Sequence, residues 1–316
     1  MNSSDFMFLF RFPGSRPALN RVKMCSRSRS GNSTQHLRTR TMNLKSLPLA
    51  ARILWLSDIH LDQANPQKIN MLLDEISGLE YSALVVTGDI SSARFLSGHL
   101  RQLATACYPR PMHVVLGNHD FHGSSIDSVE REVTDLCRSV RNLHHLQGSE
   151  VVPLSKNTAL VGHRGWADAR AGWGNQTVVE NRDHHSIKDF QMLDRQALFS
   201  KMEWLGMESA RSFRHTLPYA LTGYQNVVVA THVPPFLQAA YFSGRPCGPT
   251  HSPYFTNLGA GMALCGIARR FPHKRITVLA GHTHNRFQGN IMSNIEIRVG
   301  KARRGNPAIQ EILEFP

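Results

Sequence analysis

From about residue 50 onwards, short apolar runs alternate with segments in which apolar residues recur at every third or fourth position. Short continuous apolar runs are typical of buried strands, and the wider spacing is typical of amphipathic helices. Strands are predicted at residues 53–56, 84–86, 113–116, 159–161, 227–230 and 276–280. Helices are predicted at residues 69–79, 91–107, 126–140 and 187–205. This alternation indicates a layered α/β domain.

Two further apolar stretches, residues 291–299 and 308–315, look like strands with no helix between them. They predict that an antiparallel portion is added to the α/β domain. The chain contains no run of 18 or more apolar residues, so the sequence predicts no transmembrane helix.

The charge of the chain is unevenly distributed. The 316 residues carry a net charge of +13, but residues 1–52 contain ten Lys and Arg against a single acidic residue, Asp5. We therefore predict a disordered, basic, Arg/Ser-rich extension over residues 1–46 and a single domain over residues 47–316. Because the domain itself is nearly neutral, nucleic-acid binding is expected only through the extension.

The composition, 41% hydrophobic and 19% charged, is typical of a globular protein and excludes collagen, coiled coil and wholesale disorder. The five cysteines are widely spaced and include no CxxC pair. They indicate neither a disulfide framework nor a thiolate zinc site, and they favour a reducing compartment. A cytoplasmic location is therefore predicted, and the alternative is an organelle reached through the N-terminal extension.

Five of the predicted strands are followed directly by Asp, His or Asn. The five segments are Asp58-Ile59-His60, Gly88-Asp89, Gly117-Asn118-His119-Asp120, Thr231-His232 and Gly281-His282-Thr283-His284. Ligands of open α/β sheets bind at the carboxyl ends of strands, so all five segments can converge on one crevice. Carboxylate, imidazole and amide oxygen groups without thiolates favour Mn, Fe, Zn, Ni or Mg.

Each segment taken singly has an ordinary explanation. An Asp after a strand is commonly a helix cap, a lone His is commonly packed or on the surface, and Gly-Asn is commonly a turn. Five such strand ends in one chain are hard to explain in this way, and together they favour a metal site.

The ordered set of segments resembles the calcineurin-like metallophosphoesterase superfamily over about residues 51–300. This resemblance implies an α/β fold built as a four-layer α/β/β/α sandwich with mixed sheets, and a centre of two divalent metal ions of Mn, Fe, Zn, Ni or Mg. It implies that the first ion is held by Asp58, His60, Asp89 and His284, and the second by Asp89, Asn118, His232 and His282. It also implies that His119 is the outer acid and that Asp120 is its partner.

Two loop-like segments are expected to supply substrate contacts. Residues 163–190 are rich in Trp, Arg and His, and we interpret them as a cap or rim, with an ordinary surface loop as the alternative. Residues 233–258 follow His232 and are rich in proline. Aromatic rings in these segments can stack on a base, and arginines can hold a phosphate. The candidates are Arg164, Trp166, Arg170, Trp173, Tyr241 and Arg245.

The resemblance predicts a binuclear metal-dependent hydrolase that acts on a small-molecule or nucleotide phosphoester, as a phosphodiesterase or a phosphomonoesterase. Nuclease activity is disfavoured by the nearly neutral domain. Protein phosphatase activity is disfavoured by Asp120, because that branch has Glu there. Both activities remain alternatives on the same site, and an interaction scaffold without turnover is the alternative of another class.

Overall fold

The computed structural model describes residues 38–39 and 47–316. The predicted extension, residues 1–46, lies outside the described residues apart from Arg38–Thr39, which form a two-residue strand, β1. In the described part of the chain, no helix is both long and apolar enough to cross a membrane.

The first of two large sheets has five strands. In spatial order they are β14 (Ile309–Phe315), β2 (Ala51–Leu56), β3 (Ala83–Thr87), β4 (Met112–Val115) and β5 (Leu143–His145). Strands β2 to β5 are parallel, and β14 is antiparallel to β2. Parallel neighbours need long crossovers. The crossovers contain α1 (Pro66–Gly78), α2 (Ala93–Cys107) and α3 (Ile126–Ser139).

The second large sheet has seven strands. In spatial order they are β1, β6 (Glu150–Pro153), β7 (Thr158–Gly162), β8 (Asn226–Ala230), β11 (Arg275–Ala280), β13 (Ile295–Val299) and β12 (Phe287–Met292). Strands β7, β8, β11 and β13 are parallel, whereas β12 is antiparallel to β13. The two long helices of this half are α5 (Arg195–Gly223) and α7 (Leu258–Arg270). Shorter elements are α4 (Asp183–Ser186), α6 (Ser252–Phe255) and a hairpin of β9 (Tyr241–Phe242) with β10 (Arg245–Pro246).

The two large sheets share a buried cluster. Ile53 and Val85 of the first sheet belong to the same cluster as Leu160 and Leu279 of the second. A second cluster contains the side chains on the opposite face of the first sheet, together with helices α1, α2 and α3. A third cluster contains the side chains on the opposite face of the second sheet, together with helices α5 and α7. Because the central strands are buried on both faces, their sequences are continuous apolar runs.

The predicted mixed α/β class is confirmed, and so are the predicted central strands. Two local expectations differ from the structure. The stretch 291–299 is the end of one strand and the whole of the next, because β12 and β13 form a hairpin. The helix expected at 187–205 begins only at Arg195, because the Asp194 carboxylate accepts a hydrogen bond from the Ala197 amide (2.8 Å) and caps the helix there.

Candidate metal centre

The loops after β2, β3, β4, β8 and β11 meet at one edge of the paired sheets. Their backbones are fastened to each other, since the Asp58 amide donates to the Gly88 carbonyl and the His60 amide to the Asp89 carbonyl, both at 3.0 Å. The metal ligands implied by the resemblance include five residues with positive φ: Asp58, His60, Asp89, His282 and His284. Left-handed backbone at non-glycine residues costs about 1–3 kcal/mol each and concentrates at functional sites.

The first ligand group consists of Asp58, His60, Asp89 and His284, whose ligand atoms all lie within 4.8 Å of one another. The Nε2 atoms of His60 and His284 are 3.0 Å apart. An Asp89 oxygen lies 3.7 Å from His60 Nε2, and an Asp58 oxygen lies 3.6 Å from His284 Nε2. Two ring nitrogens that face each other between two carboxylates form a donor set that suits a divalent cation.

The second group consists of Asp89, Asn118, His232 and His282. The Asn118 Oδ1 atom lies 3.0 Å from His232 Nε2 and 2.9 Å from His282 Nδ1. Asp89 belongs to both groups, because its Oδ1 lies 3.3 Å from His232 Nε2 while its Oδ2 faces His60. This carboxylate is therefore placed to bridge two ions.

Hydrogen bonds behind the second group fix which atoms face inwards. His232 Nδ1 donates to the Thr87 carbonyl (2.8 Å), and His282 Nε2 donates to the Tyr254 carbonyl (2.7 Å). Asn118 Nδ2 donates to both oxygens of Asp183, at 3.0 and 3.1 Å. In the neutral imidazoles the remaining nitrogens are acceptors, so two nitrogen lone pairs point at an amide oxygen. Three converging acceptors need a cation between them, and the residues therefore fit a metal ion.

Burial sets the protonation of the ligands. It raises the pKa of Asp58 and of Asp89 to about 7. Burial also lowers the pKa of His60 to about 2, of His282 to about 3 and of His284 to about 4. The imidazoles are thus held neutral, which is the form that binds metals, and the buried carboxylates need a positive charge beside them.

Two glycines leave space for the carboxylates. A Cβ atom on Gly117 would collide with Asp89 Oδ1, and one on Gly281 would collide with Ser57 Oγ and Asp58 Oδ2. The glycines of Gly117-Asn118 and Gly281-His282 therefore let the backbone approach the ligand oxygens closely.

His119 lies beside the first group, with its ring 4.7 Å from that of His60 in an edge-on arrangement. Its Nε2 lies 3.1 Å from Asp62 Oδ2 and 3.2 Å from Gln63 Nε2. Burial lowers the pKa of His119, but the hydrogen bond to Asp62 and the charge of Asp89 outweigh it, so the pKa is raised. Burial likewise acts to raise the pKa of Asp62, but the contacts with His119 prevail and lower it to about 2.

The partnership of Asp120 with His119 is electrostatic, because the charge of Asp120 adds to the hydrogen bond with Asp62 in raising the pKa of His119. Asp120 is fully buried, and its carboxylate accepts hydrogen bonds from four backbone amides. These are the amides of Gly117 (2.7 Å), Asp89 (3.0 Å), Ile90 (2.7 Å) and Ser91 (2.9 Å). Asp120 thus ties the loop after β3 to the loop after β4. The carboxylate bonded to His119 is Asp62, which sequence analysis missed although it follows His60 by only two residues.

Two of the predicted substrate contacts have structural roles. Arg164 is buried and forms ion pairs with Glu130 and, at 2.8 Å, with Glu208. Trp166 is 4% exposed, with its ring 5.9 Å from that of Phe121 and 5.6 Å from that of Phe190. These contacts use the Arg164 guanidinium inside the fold, so Arg164 does not match its predicted place on a rim. Trp166 is packed but also lines a cavity with Asn118 and His282, so its contact with a substrate stays a prediction.

The other four candidates lie nearer the surface. Arg170 pairs with Glu203 (2.5 Å), and Trp173 is 52% exposed. The ring of Tyr241 lies 5.8 Å from that of Phe287. Arg245 is exposed on the β9–β10 hairpin, which is held next to His284 because the Gly244 amide donates to Asn285 Oδ1 (3.0 Å). Substrate binding by Arg170, Trp173, Tyr241 and Arg245 stays a prediction.

A family model and several solved structures are similar to this chain. The family model described as calcineurin-like phosphoesterase matches residues 51–286. The fold is similar to that of a dimetal phosphatase from Danio rerio, with 14% identity and a TM-score of 0.50, over 80% of this chain and 88% of that one. A purple acid phosphatase from yellow lupin seeds has 10% identity and a TM-score of 0.46, over 84% of this chain and 46% of that one. A 5'-nucleotidase from Candida albicans has 10% identity and a TM-score of 0.44, over 82% of this chain and 46% of the nucleotidase chain. No curated protein sequence matches the chain.

Proposed function

This chain is a member of the calcineurin-like phosphoesterase family, a metal-dependent hydrolase of phosphoric esters, and we propose that it acts on small-molecule or nucleotide phosphoesters, as a diesterase or a monoesterase. The observation that carries the proposal is the position of Asp89, whose two oxygens face two different sets of ligands. A carboxylate shared in this way is the central element of a two-metal site.

The ligand assignment follows from the contacts. Asp58, His60 and His284 would hold one ion, Asn118, His232 and His282 would hold the other, and Asp89 would join both sets. Two divalent ions supply Lewis acidity toward the phosphoryl oxygens and activate a water molecule near neutral pH. The chain itself fixes the tautomers of His232 and His282 through the Thr87 and Tyr254 carbonyls. The Asn118 amide is fixed by Asp183.

His119 is the proposed general acid. Asp62 orients its ring and favours the imidazolium form, which can give a proton to the oxygen of the leaving group. A correctly placed acid of this kind contributes about 10²–10⁴-fold to the rate. Asp120 serves the same reaction indirectly, because it holds the two loops that carry Asp89 and Asn118.

The remaining assignments are proposals as well. We place residues 47–316 in one domain, with residues 163–190 forming a cap that reaches the centre through Asp183. The proposed partner is a small phosphoester, and nucleic acid is not expected to bind the domain. Among the described residues, the thiols of Cys107, Cys247 and Cys265 are free, which supports a reducing compartment such as the cytoplasm.

The proposal is tested with metal-stripped protein and two chromogenic esters, p-nitrophenyl phosphate and bis-p-nitrophenyl phosphate. Mn²⁺, Ni²⁺, Zn²⁺, Fe²⁺ or Mg²⁺ is added back, and the release of nitrophenol is followed. We expect turnover that depends on the added metal, and the ratio of the two rates assigns the ester preference. Two bound ions without turnover of either ester would favour the scaffold alternative.

A further inference from the structure

The loop between β13 and β14 borders the candidate metal centre and is strongly basic. It contains Lys301, Arg303 and Arg304 within four residues and no acidic residue before Ile309. No motif in the sequence points to this loop, because it lies beyond all the metal-ligand segments. Its position follows instead from contacts at two points.

The first contact joins the loop to a metal ligand, since the Ala302 amide donates to the His284 carbonyl (3.2 Å). The second joins it to the short 3-10 helix Leu61–Gln63, which carries Asp62. Gly305 lies so close to this helix that a Cβ atom on it would be 3.1 Å from the Gln63 carbonyl oxygen. Arg304 therefore lies between Ala302, which contacts His284, and Gly305, which adjoins Gln63, the residue after Asp62.

Further hydrogen bonds hold the loop in this place. Gln310 bonds Lys301 in both directions, accepting from its amide and donating to its carbonyl, each at 2.9 Å. Lys68 of α1 donates through Nζ to the Gly305 carbonyl (2.8 Å). The Asn306 amide donates to the Arg303 carbonyl (2.9 Å) and closes a turn around Arg304. The loop makes these contacts through its backbone groups, so they do not use the Arg304 side chain.

The Arg304 guanidinium is exposed, and none of the ion pairs among the described residues includes it. Its charge nevertheless reaches the centre: burial is the main cause of the lowered pKa values of His60 and His284, and Arg304 adds to it, whereas at Asp89 it opposes the rise in pKa that burial causes. Arg303, one residue earlier, is also exposed. Arg304 directly precedes Gly305, the residue that adjoins Gln63, whereas Arg303 is one residue farther along the chain from this contact.

We infer that Arg304 binds an anionic group on the leaving-group side of the substrate, so that the preferred substrate is a phosphoester whose leaving group carries a second phosphate. This inference rests on the proposed function, in which His119 protonates the leaving oxygen. The side is assigned because Gly305 adjoins Gln63, whose Nε2 lies 3.2 Å from His119 Nε2. A planar guanidinium suits this role, since it binds phosphate oxygens through two parallel hydrogen bonds.

The binding test uses the full chain loaded with Mn²⁺ and titration calorimetry. The probes are propane-1,3-diol bisphosphate and ethane-1,2-diol bisphosphate, each compared with the monophosphate of the same diol. We expect the bisphosphate to bind the wild-type protein about 10-fold or more tightly than the monophosphate, the range of a charged hydrogen bond. Arg304→Gln should reduce this preference to about 3-fold or less, because only a weak polar contact then remains.

Two further variants serve as comparisons. Arg303→Gln removes the same charge from the same loop and should keep the wild-type preference. Arg304→Lys keeps the positive charge but lacks the planar guanidinium, and it should retain part of the preference for the bisphosphate. Equal affinities of the wild-type protein for both members of each pair would overturn the inference. So would an unchanged preference in Arg304→Gln, or an equal loss in Arg303→Gln.

Hydrolysis of p-nitrophenyl phosphate is measured on the same samples, so that two failures can be told apart. Metal-dependent turnover without a bisphosphate preference overturns the inference alone. A preference that requires Arg304, in a protein that hydrolyses neither chromogenic ester, overturns the proposed function and leaves the anion site in place.

Discussion

His119 Nε2 and Asp62 Oδ2 lie 3.1 Å apart, and both side chains are at most about one-tenth exposed. The pair joins the loop after β4 to the 3-10 helix that follows β2. It supplies the imidazole with an anionic partner next to the ligand His60. A partner of this kind orients the ring and stabilises its charged form.

The first prediction concerns this pair. Asp62→Asn keeps the size of the side chain but removes its charge, so the imidazolium of His119 loses its counter-charge. We expect kcat to fall about 10–100-fold, less than removal of the general acid itself would cost because the imidazole stays in place, while KM and the number of bound metal ions stay unchanged. Steady-state kinetics and elemental analysis measure these quantities. Asp127→Asn, at an exposed site on α3, is the control, and loss of metal from Asp62→Asn would make Asp62 a ligand instead.

The second prediction concerns Asp183, which fixes the Asn118 amide. In Asp183→Ala the amide can turn, and its NH₂ group can then face His232 and His282. We expect the affinity for the second ion to fall about 10–100-fold, as is usual when a group behind a metal ligand is removed. The first ion should bind as in the wild-type protein. Stepwise Mn²⁺ titration separates the two sites, and equal weakening of both would contradict the assignment of Asn118 to one of them.

The third prediction concerns Gly281. In Gly281→Ala the new methyl group collides with Asp58 Oδ2 and Ser57 Oγ, so Asp58 must move away from His284. We expect weaker binding of the first ion and a lower thermal stability of the metal-loaded protein. Gly266→Ala is the matched control, because no atom lies within 4 Å of a Cβ there. In that control the free energy of unfolding should stay unchanged or rise by up to about 1 kcal/mol, since alanine favours the helix over glycine. An equal metal affinity in both variants would contradict the prediction.

The fourth prediction separates structural from substrate-binding arginines. Arg164→Met leaves the carboxylates of Glu130 and Glu208 without their buried partner, so the free energy of unfolding should fall by about 3–5 kcal/mol. Arg170→Met breaks a more exposed pair with Glu203 and should cost less than about 1 kcal/mol. Urea denaturation measures both changes. A raised KM in Arg164→Met at unchanged stability would return Arg164 to the substrate site.

The central strands and the metal ligands could be predicted because both depend on short-range order in the sequence. Apolar runs mark strands buried on both faces, and Asp58, Asp89 and His232 each follow one of these runs within three residues. The parallel order of β2, β3 and β4, and of β8 and β11, then brings the strand ends to one edge.

The partners of these ligands could not be predicted, because they depend on contacts that form only in the fold. Asp183 lies 65 residues from Asn118. Asp120 follows His119 directly in the chain, but its carboxylate accepts hydrogen bonds from four backbone amides instead of from His119. Residue type alone places Arg164 on a rim, and residue type does not distinguish a buried ion pair from a surface contact.

The measurement that tests the central claim most directly compares wild-type protein with Asp89→Ala, counting bound Mn²⁺ ions and following the hydrolysis of both nitrophenyl esters. Because Asp89 faces both ligand sets, we predict two ions and metal-dependent turnover in the wild-type protein. The variant should lose the paired ions and at least about 10³-fold in rate, the order of a lost electrostatic element of catalysis. Two ions bound normally to Asp89→Ala with wild-type turnover would contradict a centre bridged by this carboxylate.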